Sequence, residues 1–244
     1  MNSKNTINWN ERGRLFSEKG LYEQALEAFN NAIEKNPQDY KPWYNSGIVL
    51  STLGSTKKAL NAFERSLELE PDQYDGWYNR GVILNKLGKN SEALISYDKA
   101  IGIRPDSEDA LYNRGNTLAK LDRFVEALES YSLVLKINPN SVEALQNQGN
   151  SFAKLGEHEK AINSYSRALE ISPLAHEMWY NRGLSLANLE NHEAAIKSYE
   201  KALEIKPDYP NAIHYREVSL FTLSKFEEAF KSMKNRPKEP DRGQ

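Results

Sequence analysis

Residues 74–107 read YDGWYNRGVILNKLGKNSEALISYDKAIGIRPDS, and this stretch decides the fold. Its first half carries Trp77, Leu84 and Leu87 at helical spacing, with Gly81 on the same side. Gly88 then supplies the left-handed residue on which many helices end. The second half lines Ala93, Leu94, Tyr97, Ala100 and Ile101 along one stripe. Pro105 stops it, because proline cannot continue the hydrogen-bond ladder. The spacing therefore predicts two short helices, with Gly81 and Ala93 allowing close approach and Trp77 and Tyr97 filling the space around them. Helices of about 13 residues are marginal alone, so each pair must bury its apolar face on a neighbour.

The neighbours are present in the same chain. Pro37, Pro71, Pro105, Pro139, Pro173 and Pro207 follow one another at intervals of 34 residues, and Gly13, Gly47, Gly81, Gly115, Gly149 and Gly183 keep the same interval. A second glycine series runs Gly20, Gly54, Gly88 and Gly156. Trp9, Trp43, Trp77 and Trp179 share one place in the unit, with Leu111 and Leu145 standing in between. A fixed period of this length signals a solenoid of stacked helix pairs.

At 34 residues the arrangement W-x2-(L/R)-G-x2-(L/F)…A-x3-(Y/F)-x2-A…P resembles the tetratricopeptide repeat, TPR. Units 6–39, 40–73, 74–107, 108–141, 142–175 and 176–209 match it, and WYNRG at 77–81 and 179–183 resembles prokaryotic, cyanobacterial-like members. The resemblance implies an all-α, right-handed superhelical solenoid occupying 1–234. One departure recurs: the usual Leu before the glycine is Arg12, Arg80, Arg114, Arg182 and, without the glycine, Arg216. A seventh unit is degenerate, with Glu217 for the glycine, Ile213 for the tryptophan and Met233 for the aromatic. Helices over 210–222 and 225–234 are expected to close the stack. The charged tail 235–244, with Pro237 and Pro240, is expected to be disordered.

Composition narrows the function. The 244 residues hold 32 Lys+Arg against 34 Asp+Glu, a net charge of −2, which argues against nucleic-acid or anionic-membrane binding. The chain has no cysteine, hence no disulfide and no thiol chemistry. No apolar run reaches the roughly 18 residues of a membrane span, and Met1–Asn10 shows no apolar signal region. A soluble, cytoplasmic protein without direct membrane insertion is expected. No HExxH, GxGxxG, GxxxxGK[ST] or GxSxG motif occurs, and His158 and His192 read as surface residues. The chain is not expected to be an enzyme or to carry a cofactor or metal. The helix-start acids Asp75, Asp109, Glu143 and Glu177 and the helix-end Lys86, Lys120 and Lys154 complement helix dipoles.

One asparagine per unit calls for a reason: Asn45, Asn79, Asn113, Asn147 and Asn181. Asparagine is a mediocre helix former because its side chain competes for backbone hydrogen bonds. In the family, first helices line the concave surface, and the resemblance places these residues there. A carboxamide offers both a donor and an acceptor, which suits an extended peptide, and asparagine ladders bind peptides in superhelices of this family. The same place also serves to bridge adjacent helices, and both readings stand. Tyr44, Tyr78, Tyr112 and Tyr180 precede the asparagines, with Gln146 as the exception. Asn116 and Asn150 add polarity one turn on. Unit one, with Asn10 and Glu11, is expected to stand outside the ladder. At about 0.5–1.5 kcal/mol per net hydrogen bond, the ladder alone would not bind tightly. Capture of a chaperone's terminal carboxylate, another function in the family, needs basic residues where this chain has tyrosines and acids.

The residues thus favour a non-catalytic scaffold for a protein or peptide partner, working as a monomer or weak homodimer. An alternative is an assembly subunit acting through helix packing or self-association at the C-terminal pair, around Phe221, Phe226 and Phe230.

Overall fold

The computed structural model describes residues 8–234, so the expectation for the tail 235–244 falls outside the described residues. Among those described, fourteen helices and no strand are found. They fall into two compact units, Met1–Leu121 and Asp122–Gln244. The first holds α1 (Trp9–Glu18), α2 (Tyr22–Lys35), α3 (Tyr40–Thr52), α4 (Thr56–Leu69), α5 (Tyr74–Lys86), α6 (Asn90–Ile103) and α7 (Glu108–Lys120). The second holds α8 (Phe124–Ile137), α9 (Val142–Lys154), α10 (His158–Ile171), α11 (His176–Asn188), α12 (His192–Ile205), α13 (Pro210–Thr222) and α14 (Phe226–Lys234). Within each unit every helix packs on the one before and the one after. The odd-numbered helices also touch, as α5 touches α7 and α11 touches α13. This is the stacking of a helical solenoid.

The short turns follow from the sequence. Gly20, Gly54, Gly88 and Gly156 sit at φ 73, 72, 74 and 76°, and Asp122, Glu190 and Ser224 adopt φ 57, 60 and 59° at the corresponding places. In that conformation Lys89 N donates to Leu84 O at 2.9 Å, which satisfies an end carbonyl of α5. Before each repeat proline the chain must straighten, and Arg104 does so at φ −132°, ψ 90°.

Each pair closes on an aromatic ring. Phe29, Phe63, Tyr97, Tyr131, Tyr165 and Tyr199 are at most 1% exposed. A Cβ at Gly81 would lie 2.7 Å from the Tyr97 ring, and one at Gly149 2.6 Å from that of Tyr165. The tryptophans are half-buried rather than central, and the indoles of Trp43, Trp77 and Trp179 clip the preceding turn: Trp77 Nε1 donates to Pro71 O at 2.7 Å and Trp179 Nε1 to Pro173 O at 2.8 Å.

The recurrent arginine stitches the stack. Arg80 donates to Ser96, sixteen residues on, at 2.7 Å, and to Glu64, sixteen residues back, at 2.9 Å. Arg182 likewise donates to Ser198 at 2.8 Å and Ser166 at 3.0 Å. Gln148 fills the role in its repeat, accepting from Ser164 at 2.9 Å and donating to Ser132 at 3.4 Å. The first helices α5, α9 and α11 are thereby each pinned to the second helix on either side. Repeat two has Ser46 at the arginine place and Ala62 at the serine place, so there both partners are lost together. In the degenerate repeat Glu217 is 2% exposed, and its carboxylate accepts from Ser232 at 2.9 Å.

Candidate functional site

The asparagine and tyrosine rows lie on α3, α5, α7, α9 and α11, and all these side chains are half-buried. In the first unit each asparagine is bonded to the repeat before it. Asn45 Nδ2 donates to Asn10 Oδ1 at 2.9 Å, Asn79 Nδ2 to the Tyr44 hydroxyl at 3.2 Å, and Asn113 Nδ2 to the Tyr78 hydroxyl at 3.1 Å. Asn79 also donates to the Asp75 carbonyl at 2.9 Å. Asn10, at the tyrosine place of unit one, is therefore the acceptor of the first rung rather than a bystander. The tyrosine rings rest on core aromatics, Tyr44 at 5.8 Å from Phe63 and Tyr78 at 6.3 Å from Tyr97. Burial pushes the Tyr44 and Tyr78 hydroxyls above their ordinary pKa, and the nearby Asp75 and Asp109 carboxylates add to the rise in Tyr44 and Tyr78 respectively. Both hydroxyls thus remain protonated donors at neutral pH.

At the start of these rows the first unit opens a recess of about 600 Å³, in which Tyr44 and Asn45 meet Arg14, Lys41, Asp75 and Arg104. The Arg104 guanidinium lies 3.8 Å from the centre of the Tyr74 ring. The recess thus offers both charge signs beside aromatic surface and carboxamide. Of the residues expected from sequence, it gathers Tyr44 and Asn45 only. Its cations were missed because they come from a first helix, a helix start and the residue before a proline, places with no common period.

In the second unit Asn181 Nδ2 donates to Asn150 Oδ1 at 3.3 Å, and the same oxygen accepts from the Tyr165 hydroxyl at 2.7 Å. Tyr180 joins an aromatic group, its ring centre 5.2 Å from Tyr209, 5.9 Å from Tyr215 and 6.1 Å from Tyr199. Burial, together with Tyr215 and Tyr209, pushes its pKa up to about 12. Among the described residues no helix is long and apolar enough to cross a membrane.

A tetratricopeptide repeat model matches residues 10–62, 44–108 and 147–210, and a second model of the same repeat matches 108–141. Among solved structures, YrrB, described as "a TPR protein with an unusual peptide-binding site", is 29% identical. It has a TM-score of 0.73 over 79% of this chain and 99% of that chain. MamA from Desulfovibrio magneticus RS-1 is 22% identical with a TM-score of 0.66, over 70% of this chain and 97% of that one. A tetratricopeptide repeat protein from Parabacteroides merdae is 21% identical with a TM-score of 0.67, over 93% and 90%. The last two share the fold. No curated protein matches the chain.

Proposed function

Because the chain belongs to the tetratricopeptide repeat family, we propose that it is a non-catalytic interaction scaffold holding an extended partner peptide along the Asn and Tyr rows of its first helices. The observation that carries this reading is the recess of the first unit, where Tyr44 and Asn45 stand among Arg14, Lys41, Asp75 and Arg104. YrrB, by its own description a protein with a peptide-binding site, supports it.

The division of labour follows from the hydrogen bonds. Asn79 and Asn113 spend an amide N–H on Tyr44 and Tyr78. Each tyrosine oxygen accepts, and its O–H is left to donate to a peptide carbonyl, while an asparagine Oδ1 accepts a peptide N–H. Holding the hydroxyls in place before the ligand arrives lowers the ordering cost of binding. The charged groups of the recess supply side-chain selectivity that a repeated carboxamide cannot.

The test is capture of partners from a cell lysate on wild type, on Asn79→Ala/Asn113→Ala/Asn147→Ala/Asn181→Ala, and on Lys41→Ala/Arg104→Ala. Circular dichroism checks helical content in each. A protein held by wild type and lost by both variants supports the reading. Equal retention on all three would overturn it and leave the asparagines as bridges between helices.

A further inference from the structure

The repeats within this one chain show which surface residues the scaffold needs, and α8 departs from its sister helices at three places on one face. Val125 stands where the other second helices have Glu23, Lys57, Ser91, Glu159, Glu193 and Glu227. Leu133 stands where repeats one to six otherwise have Asn31, Arg65, Lys99, Arg167 and Lys201. Lys136 reverses the sign of Glu34, Glu68, Glu170 and Glu204. Val125 is 61% exposed and Leu133 42%, so neither was recruited to the core. With Phe152 and Leu155 they line a groove of about 480 Å³ that also takes in Glu129 and Lys136. A polar surface slot turned apolar once could be drift. Two such changes and a charge reversal on one face of one helix mark a contact.

The charges identify the occupant. Glu129 and Lys136 lie two turns apart on the same face, about 10 Å along the axis, too far to pair with each other. Among the described residues neither joins an ion pair. We infer that this face docks on the same face of a second copy of the chain, α8 running antiparallel to α8 about a two-fold axis between Ser132 and Leu133. In that register each Glu129 meets the other copy's Lys136, and the two Leu133 side chains lie side by side at the axis. A two-fold contact must be self-complementary. A glutamate at 136, as in most sister repeats, would instead set carboxylate against carboxylate twice. The contact uses none of the residues assigned to peptide binding, so the two readings stand or fall separately.

Sedimentation velocity from about 1 to 200 μM, the range in which a small interface is half-formed, tests it on the full chain. Wild type is expected to show a dimer fraction that rises with concentration. Val125→Glu/Leu133→Arg, which installs residues that sister repeats carry in the same slots, is expected to abolish it while keeping helical content. Glu129→Lys and Lys136→Glu should each raise the dissociation constant about tenfold or more, and the double exchange Glu129→Lys/Lys136→Glu should restore it. A monomer at every concentration, a dimer indifferent to Val125→Glu/Leu133→Arg, or a double exchange no better than the single changes would each overturn the inference.

Discussion

Asn181, in the second unit, is bonded differently from the asparagines of the first unit's row. In the first, a carboxamide reaches back 35 residues to the side chain at the tyrosine place of the previous repeat: Asn45 to Asn10, Asn79 to Tyr44, Asn113 to Tyr78. In the second, Asn181 would find Gln146 at that distance, and it turns instead to Asn150, 31 residues back. Asn150 in turn receives the buried Tyr165 hydroxyl. The slot fixes where an asparagine sits, whereas its partner depends on a residue one repeat away. The core rings differ likewise: the Tyr97 hydroxyl accepts from Asn85 at 3.1 Å, whereas the Tyr199 hydroxyl is buried with no partner among the described residues.

The largest expected effects probe what the units share. Gly81→Ala and Gly149→Ala each force a Cβ to within 2.7 and 2.6 Å of a buried ring, and each is expected to cost about 1–3 kcal/mol in urea unfolding. Gly102→Ala, with nothing within 4 Å of its Cβ, should instead stabilise by a few tenths to about 1 kcal/mol. A cost confined to one unit would mean that the rings are not equivalent. A smaller effect probes the difference. Tyr97→Phe removes an acceptor from Asn85 and should cost about 0.5–1.5 kcal/mol, while Tyr199→Phe removes an unpaired buried hydroxyl and should be neutral or stabilising. Equal losses in the two variants would break the contrast. The smallest concerns pH. The Tyr180 pKa is raised from 10.0 to about 12, so the folded chain holds a proton that the unfolded chain has released between those values. Stability is thus full below about pH 10 and falls as pH rises through the window up to about 12. Thermal melting across that range should show the fall, and Tyr180→Phe should make it shallower. An unchanged slope in the variant would remove Tyr180 from the account.

Much of the fold was legible because its causes are local. Gly88 and its sister glycines end helices through a backbone angle that a side chain disfavours, and Pro105 and its sisters straighten the residue before them. Tyr97 was readable as core because it stands on the stripe with Ala93 and Ala100. The recurrent arginines were legible as departures only, since Arg80 finds Glu64 and Ser96 across helix boundaries and nothing in the local spacing names either. The recess suffered the same way: Arg14, Lys41 and Arg104 occupy unrelated places in the unit and converge only when three repeats are stacked.

The sequence by itself determined the helix pairs, their turns and their stacking, because period, capping angle and apolar stripe act within one unit and are repeated in every unit. The tertiary structure decided which carboxamide meets which hydroxyl, which tryptophan clips which proline carbonyl and which cations share a recess with Tyr44. Those are contacts between units, and their geometry depends on how one helix lies against the next. The period supplied the places, and packing chose the partners.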